Sequence, residues 1–267
     1  MTIFTASPVR RLLVCPGFYD IRFSLLLVLT GMALSSIAAA ATVTVTPSRD
    51  ATIFSSGGVN GIGDLFAGTS GTITPSDQRR ALLYFDLAAI PADAVITDVS
   101  LTLSVLAAQG SETGSLHRLL QAWAEGDQAA GAGAGIGAGG GGGAPSSPVG
   151  DNDVTWTTTG LGPAWANAGA DFIPAASGSA LLPLAGNTVT FSSAGMASDV
   201  QGWVDASFGN FGWIITGSDI APNVRKFASR EAVSGQPELS VTYNVIPIPA
   251  AVWLFGSALG LLGWMRH

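Results

Sequence analysis

The chain has 267 residues, 11 Lys+Arg against 18 Asp+Glu, and only 11% charged residues. A net charge of −7 excludes a nucleic-acid binder, which must neutralise phosphates with Lys and Arg. One cysteine, Cys15, and two histidines, His117 and His267, exclude a disulfide framework, a Cys/His zinc site and a cysteine nucleophile.

Residues 1–41 read as a signal peptide. Arg10, Arg11 and Arg22 supply positive charge, Phe23 to Ile37 form an apolar stretch, and Ala38 to Ala41 offer an A-x-A-type cleavage site. The apolar stretch is shorter than the ~20 residues of a spanning helix, so export with removal is expected. Removal takes Cys15 along and leaves no thiol for an oxidising compartment to cross-link.

Residues 42–245 form the predicted body. Seven basic against seventeen acidic side chains give it a charge of −10, which suits a soluble extracellular domain. Its apolar residues alternate with period two. Thr42 to Thr46 is a first strand. In Arg80 to Leu87, positions 83, 85 and 87 share a face. Val99 to Val105, Thr188 to Phe191 and Leu239 to Tyr243 alternate apolar with hydroxyl. Phe211-Gly212-Trp213-Ile214-Ile215 is apolar on both faces and reads as a central strand. Met196, Val200, Trp203 and Val204 fall at helical spacing and predict one short helix. Turns are expected at Asn60-Gly61, Ile90 to Asp93 and Asn210. The expected fold is all-β, a jelly-roll-like β-sandwich with one short helix, flanked by an N-terminal signal helix and a C-terminal transmembrane helix. Residues 129–143 are almost entirely Gly and Ala and predict a flexible loop. The G-x-G-x-x-G inside them has no strand and helix around it and carries no dinucleotide site.

Residues 246–267 form the tail. Val245-Ile246-Pro247-Ile248-Pro249-Ala250 precedes Ala251-Val252-Trp253-Leu254-Phe255 and an uncharged run to Met265, with Arg266 near the end. The run is long enough for a short membrane span, with Arg266 on the cytoplasmic side. The segment resembles the PEP-CTERM sorting tail in its V-P-L-P-A variant, with Val245, Pro247, Pro249, Ala250 and Arg266 at the signature positions. That resemblance implies an exosortase as processing partner, in a Gram-negative bacterium that makes exopolysaccharide. It also implies cleavage near Pro247 to Ala250 and release to the envelope or matrix.

Several residues of the body are candidates for chemistry. Asp151, Asn152 and Asp153 cluster oxygen ligands that could hold Ca²⁺, which takes 6–8 oxygens in irregular geometry. They serve equally as turn residues, and Asp50 with Asp64 is a second such pair. Trp165, Trp156 and Trp123 could stack on sugar rings or pack inside the domain, whereas Trp203 and Trp213 belong to apolar faces. Arg230 lies before the last strand and could pin it through a bidentate bond to Asp86 or Glu125. His117 has no partner in its motif. No G-x-S-x-G, H-E-x-x-H or P-loop occurs.

Ordered blocks across the body also resemble the DNRLRE domain, a secreted β-sandwich of bacteria and archaea. They are Arg80 to Leu87 with Ile90-Pro91, Ile96 to Leu103, Trp123-x-Glu125-Gly126, the Gly-rich loop, Val154-Thr155-Trp156, Trp165 through Gly169-Ala170-Asp171-Phe172, Asn210 to Trp213, Lys226-Phe227-Ala228-Ser229-Arg230-Glu231 and Pro237 to Tyr243. The name-giving segment is shortened to Asp77-Gln78-Arg79-Arg80-Ala81. The resemblance implies a cell-surface setting with glycan association and brings no catalytic residues. The sequence therefore points to an exported, non-enzymatic structural or adhesive protein of the envelope or exopolysaccharide matrix. A carbohydrate-binding module of the same fold is the first alternative, and a polysaccharide hydrolase or lyase the second, since paired carboxylates need no motif.

Overall fold

The computed structural model describes residues 40–69, 78–108, 112–128, 152–217 and 223–245. The strands are β1 (Ala40–Val45), β2 (Arg49–Phe54), β3 (Val59–Asn60), β4 (Leu65–Thr69), β5 (Gln78–Tyr84), β6 (Ala94–Ala108), β7 (Glu112–Arg118), β8 (Gly178–Leu182), β9 (Thr188–Ser192), β10 (Trp213–Thr216), β11 (Arg225–Phe227) and β12 (Glu238–Val245), and burial alternates along β1, β6, β9 and β12 as the sequence predicts. Among the described residues one helix, α1 (Ala194–Val204), follows β9. The expected signal peptide through residue 39, the Gly-rich stretch, Asp151 and the expected sorting segment from 246 lie outside the described residues. Among the described residues no helix is long and apolar enough to cross a membrane.

The pairings are all antiparallel. One sheet runs β1-β12-β6-β11-β4-β5-β10-β7-β8, with β9 also on β6 and β2 also on β5. The long β6 makes this possible. Its first two-thirds pair with β12, and Val105 to Ala108 pair with β11, which hands the sheet on to β4. A bulge between Lys226 and Phe227 lies at that handover, and bulges sharpen the local bend and twist. The sheet curls so that its two halves face each other. Val99, Leu101, Leu103, Phe191, Leu239 and Val241 from one half meet Leu83, Phe85, Leu116, Trp213 and Ile215 from the other.

Helix α1 closes one end of this core. Ser193 caps it by accepting from the Met196 N–H at 3.1 Å. Met196, Val200 and Trp203 turn inward, and Trp203 lies 4.5 Å from Trp213. β10 is a central strand between β5 and β7, which explains its apolar residues on both faces. Trp213 and Ile215 enter the first core, whereas Ile214 points the other way with Leu82 into a second. That second core lies beneath segments 119–128 and 152–172, whose Leu119, Trp123, Val154, Trp165 and Ala170 cover Ile53, Leu82 and Ile214.

Two differences from the sequence reading concern boundaries. β1 begins at Ala40, not Thr42, because Ala40 and Ala41 find partners in Asn244 and Tyr243. It therefore uses two residues of the segment expected to be removed. β10 starts only at Trp213, because Gly212 takes φ +81° and a side chain there would collide with the Leu83 carbonyl.

Candidate functional site

Three carboxylates and one guanidinium converge where β2, the covering segment and the connection to β12 meet. Glu125 accepts at three points: from the Asp50 N–H at 2.7 Å, from Arg230 Nε at 2.7 Å and from Arg230 Nη2 at 2.8 Å. Arg230 Nε also reaches Glu231 Oε1 at 2.8 Å, and the Arg230 N–H donates to Asp50 Oδ2 at 2.8 Å. The bidentate pin expected of Arg230 is thus made to Glu125. Asp86 is exposed and caps its own turn through the Ala88 N–H.

Asp50 is fully buried, and its Oδ1 has no hydrogen-bond partner. Burial is the main force on its pKa, pushing it up to about 8. The Arg230 N–H opposes this, and the charges of Glu231 and Glu125 add to it. Arg230 is held above its ordinary value, chiefly by the hydrogen bonds to Glu125. One oxygen from each of Asp50, Glu125 and Glu231 lies within 4.8 Å of the others.

The other candidates are dispersed. Asp64 pairs with Lys226, not with Asp50. Asn152 is exposed, but Asp153 is 2% exposed and turns inward, accepting from the Asp127 N–H at 3.2 Å. Its Oδ1 fills the space where a side chain on Gly126 would go, and Gly126 has φ +81°. The Trp-x-Glu-Gly block therefore supplies a buried anchor, a pin and a turn. Trp123 is the anchor, donating through Nε1 to the Phe211 carbonyl at 3.0 Å.

The structure buries Trp165 in the second core at 6% exposure, with Nε1 donating to the Thr155 carbonyl at 2.9 Å. Its ring faces offer no platform to a sugar. Trp156 is half-buried and carries the Arg80 guanidinium 4.7 Å above its ring. Arg80 Nη1 also donates to the Gly169 carbonyl at 2.7 Å, so it clamps the covering segment onto β5. His117 Nδ1 is 3.0 Å from the Ile173 carbonyl, and the ring packs on Phe172, an arrangement that fixes a strand edge. Val245 is the last residue of β12, paired with Ala94; Pro247, Pro249, Ala250, Arg266 and Asp151 lie outside the described residues.

Sequence reasoning missed three polar anchors. Asp199 of α1 accepts from Trp213 Nε1 at 2.8 Å and pairs with Arg118 Nε at 3.1 Å, tying helix to sheet. Buried Arg225 donates to the carbonyls of Leu182, Pro183 and Asn223. Burial lowers its pKa while the charge of Glu112 raises it. Asp171 gathers the N–H groups of Ala166 and Asn167 and the amides of Asn167 and Gln121. Burial raises its pKa, but these four donors outweigh that and hold it below the usual carboxylate range. Only the Asn-x-x-x-Asp spacing of Asn167 and Asp171 hinted at this turn.

No family model and no curated protein matches this chain.

Proposed function

We propose that the chain is an exported protein of the cell envelope or exopolysaccharide matrix. Its role there is structural or adhesive, and an exosortase sorts and cleaves it at the C-terminal tail. The observation that carries this reading is the tail itself: Val245-Ile246-Pro247-Ile248-Pro249-Ala250-Ala251-Val252-Trp253-Leu254-Phe255, an uncharged run and Arg266. Pro247 and Pro249 carry no N–H to donate to a strand ladder. In sequence the motif follows directly on β12. We read that body, a curled antiparallel sheet with one core between its halves and a second beneath the covering segments, as a jelly-roll-type sandwich of the DNRLRE kind. Its interactions at Glu125, Arg230 and Arg80 hold layers together, and no reaction is assigned to it.

Replacing Pro247 and Pro249 by Ala in the native host tests the reading. Fractionation should move the protein from the envelope or matrix to the inner membrane. Unchanged delivery of the variant would refute exosortase sorting.

One observation favours carbohydrate binding as a second role. On the outward face of the first half-sheet, Thr44, Ser240, Ser100 and Ser192 stand opposite one another across four strands, at the ~4.8 Å spacing of neighbouring strands. This hydroxyl row is a better candidate for sugar contact than buried Trp165. Retention in an affinity gel of the producer's polysaccharide, lost on Ser100→Arg, would support it; unretarded migration of the wild type would exclude it.

A further inference from the structure

We propose that Asp50, Glu125 and Glu231 form a binding site for a hard divalent cation, calcium by its chemistry, which joins β2, the covering segment and the connection to β12. Asp50 Oδ1 is buried without a partner, and a buried polar atom left unpaired is strongly unfavourable. Native structures rarely keep one unless an ion or water serves it. The atom belongs to a carboxylate that shares its corner with two more, and one oxygen from each lies within 4.8 Å of the others.

The spacing fits the ion. Calcium binds oxygen at 2.3–2.6 Å, so two ligands of one ion stand at most roughly 5 Å apart. The charge fits as well. Three carboxylates meet one guanidinium, that of Arg230, which bonds to Glu125 and Glu231 but reaches Asp50 only through its backbone N–H. A cation would stand on the side of Asp50 that the Arg230 guanidinium does not reach. Glu231 is exposed, so water can complete the 6–8 oxygens that calcium takes. The three ligands come from parts of the chain far apart in sequence, and a bound ion would fasten the last connection to the sheet. This site differs from Asp151 to Asp153 and from the Asp50–Asp64 pair suggested by sequence.

The test uses the full chain in a neutral detergent, stripped with EDTA, then titrated with CaCl₂ against NaCl of equal ionic strength. Extracellular calcium modules bind with Kd of about 10⁻⁴ to 10⁻³ M. Calcium at about 100 times Kd should raise Tm by roughly 5–10 °C, and calorimetry should show one site. Asp50→Asn and Glu231→Gln should each weaken binding at least about tenfold, from the loss of a charged ligand. Glu231→Gln removes one outer partner of Arg230, which keeps both bonds to Glu125, so its calcium response is read as the shift from its own calcium-free Tm and reports binding rather than folding. A wild type with no heat and no Tm change at about 10 mM calcium, some ten times the weaker Kd, would overturn the proposal. So would variants that respond as the wild type does.

Discussion

Glu125→Gln preserves the shape of the side chain and removes its charge. In the folded protein three N–H donors point at this carboxylate, all within 2.8 Å. Glutamine offers one acceptor oxygen and turns an NH₂ toward a donor, so at least one of these bonds becomes a clash. Hydrogen bonds to charged groups contribute about 1.5–3 kcal/mol each. Removing one member of a buried pair costs about 3–5 kcal/mol. The Glu125 side chain is 13% exposed but that of Arg230 is 34% exposed, so water and Glu231 recover part of the loss. We therefore expect about 2–3 kcal/mol of destabilisation, and a Tm lower by roughly 4–12 °C. The assay is denaturant unfolding of the full chain in neutral detergent with EDTA, so that no cation contributes. Arg230→Met should cost a similar amount, and the double variant should fall short of the sum by at least about 1 kcal/mol. A Glu125→Gln protein within about 0.5 kcal/mol of wild type, the range of ordinary surface changes, would refute the pin.

Trp165→Ala should destabilise by about 3–5 kcal/mol, the range for emptying a buried aromatic site. Trp165→Phe should cost about 1–2 kcal/mol, since the Thr155 carbonyl loses its donor. Unchanged stability together with lost glycan retention would instead make Trp165 an external platform. Asp171 sets an acid limit. Its folded pKa lies below the unfolded one, so its contribution is complete above the unfolded value of about 3.9 and disappears as pH falls through the folded value. Asp171→Asn should lower stability at pH 7 by about 1–2 kcal/mol and flatten that acid decline, read by denaturant midpoints from pH 6 to pH 2. An unchanged acid slope would contradict the role given to its four donors.

The parts of the fold legible in the sequence are those where side-chain period and burial coincide. β6 alternates Val99, Leu101, Leu103 and Val105 toward the core, with Ser and Thr outward. Trp213-Ile214-Ile215 announces a strand covered on both sides. Helix α1 was legible from Met196, Val200 and Trp203. The covering segment was not, because residues 152–172 carry no period, and nothing local says that they fold back across β5 and β10. For that reason the sequence leaves Trp165 open between sugar contact and packing. The site was half legible. The chemistry of Arg230 called for a carboxylate, and Glu125 was one of two choices, 105 residues away. The arrival of Asp50 in the same corner depends on register: Asp50 opposes Leu83 on β5, placing the carboxylate under the connection to β12. Asp199 reads in sequence as a solvated helix residue, and only the packing of α1 on Trp213 and Arg118 gives it partners.

On the proposed function, the segment after Val245 is a sorting tail removed on the way out of the cell. Intact-mass measurement of the protein recovered from the envelope and matrix of its native host tests this directly. A species ending near residue 250 is the predicted result. A species that retains His267 would contradict the account.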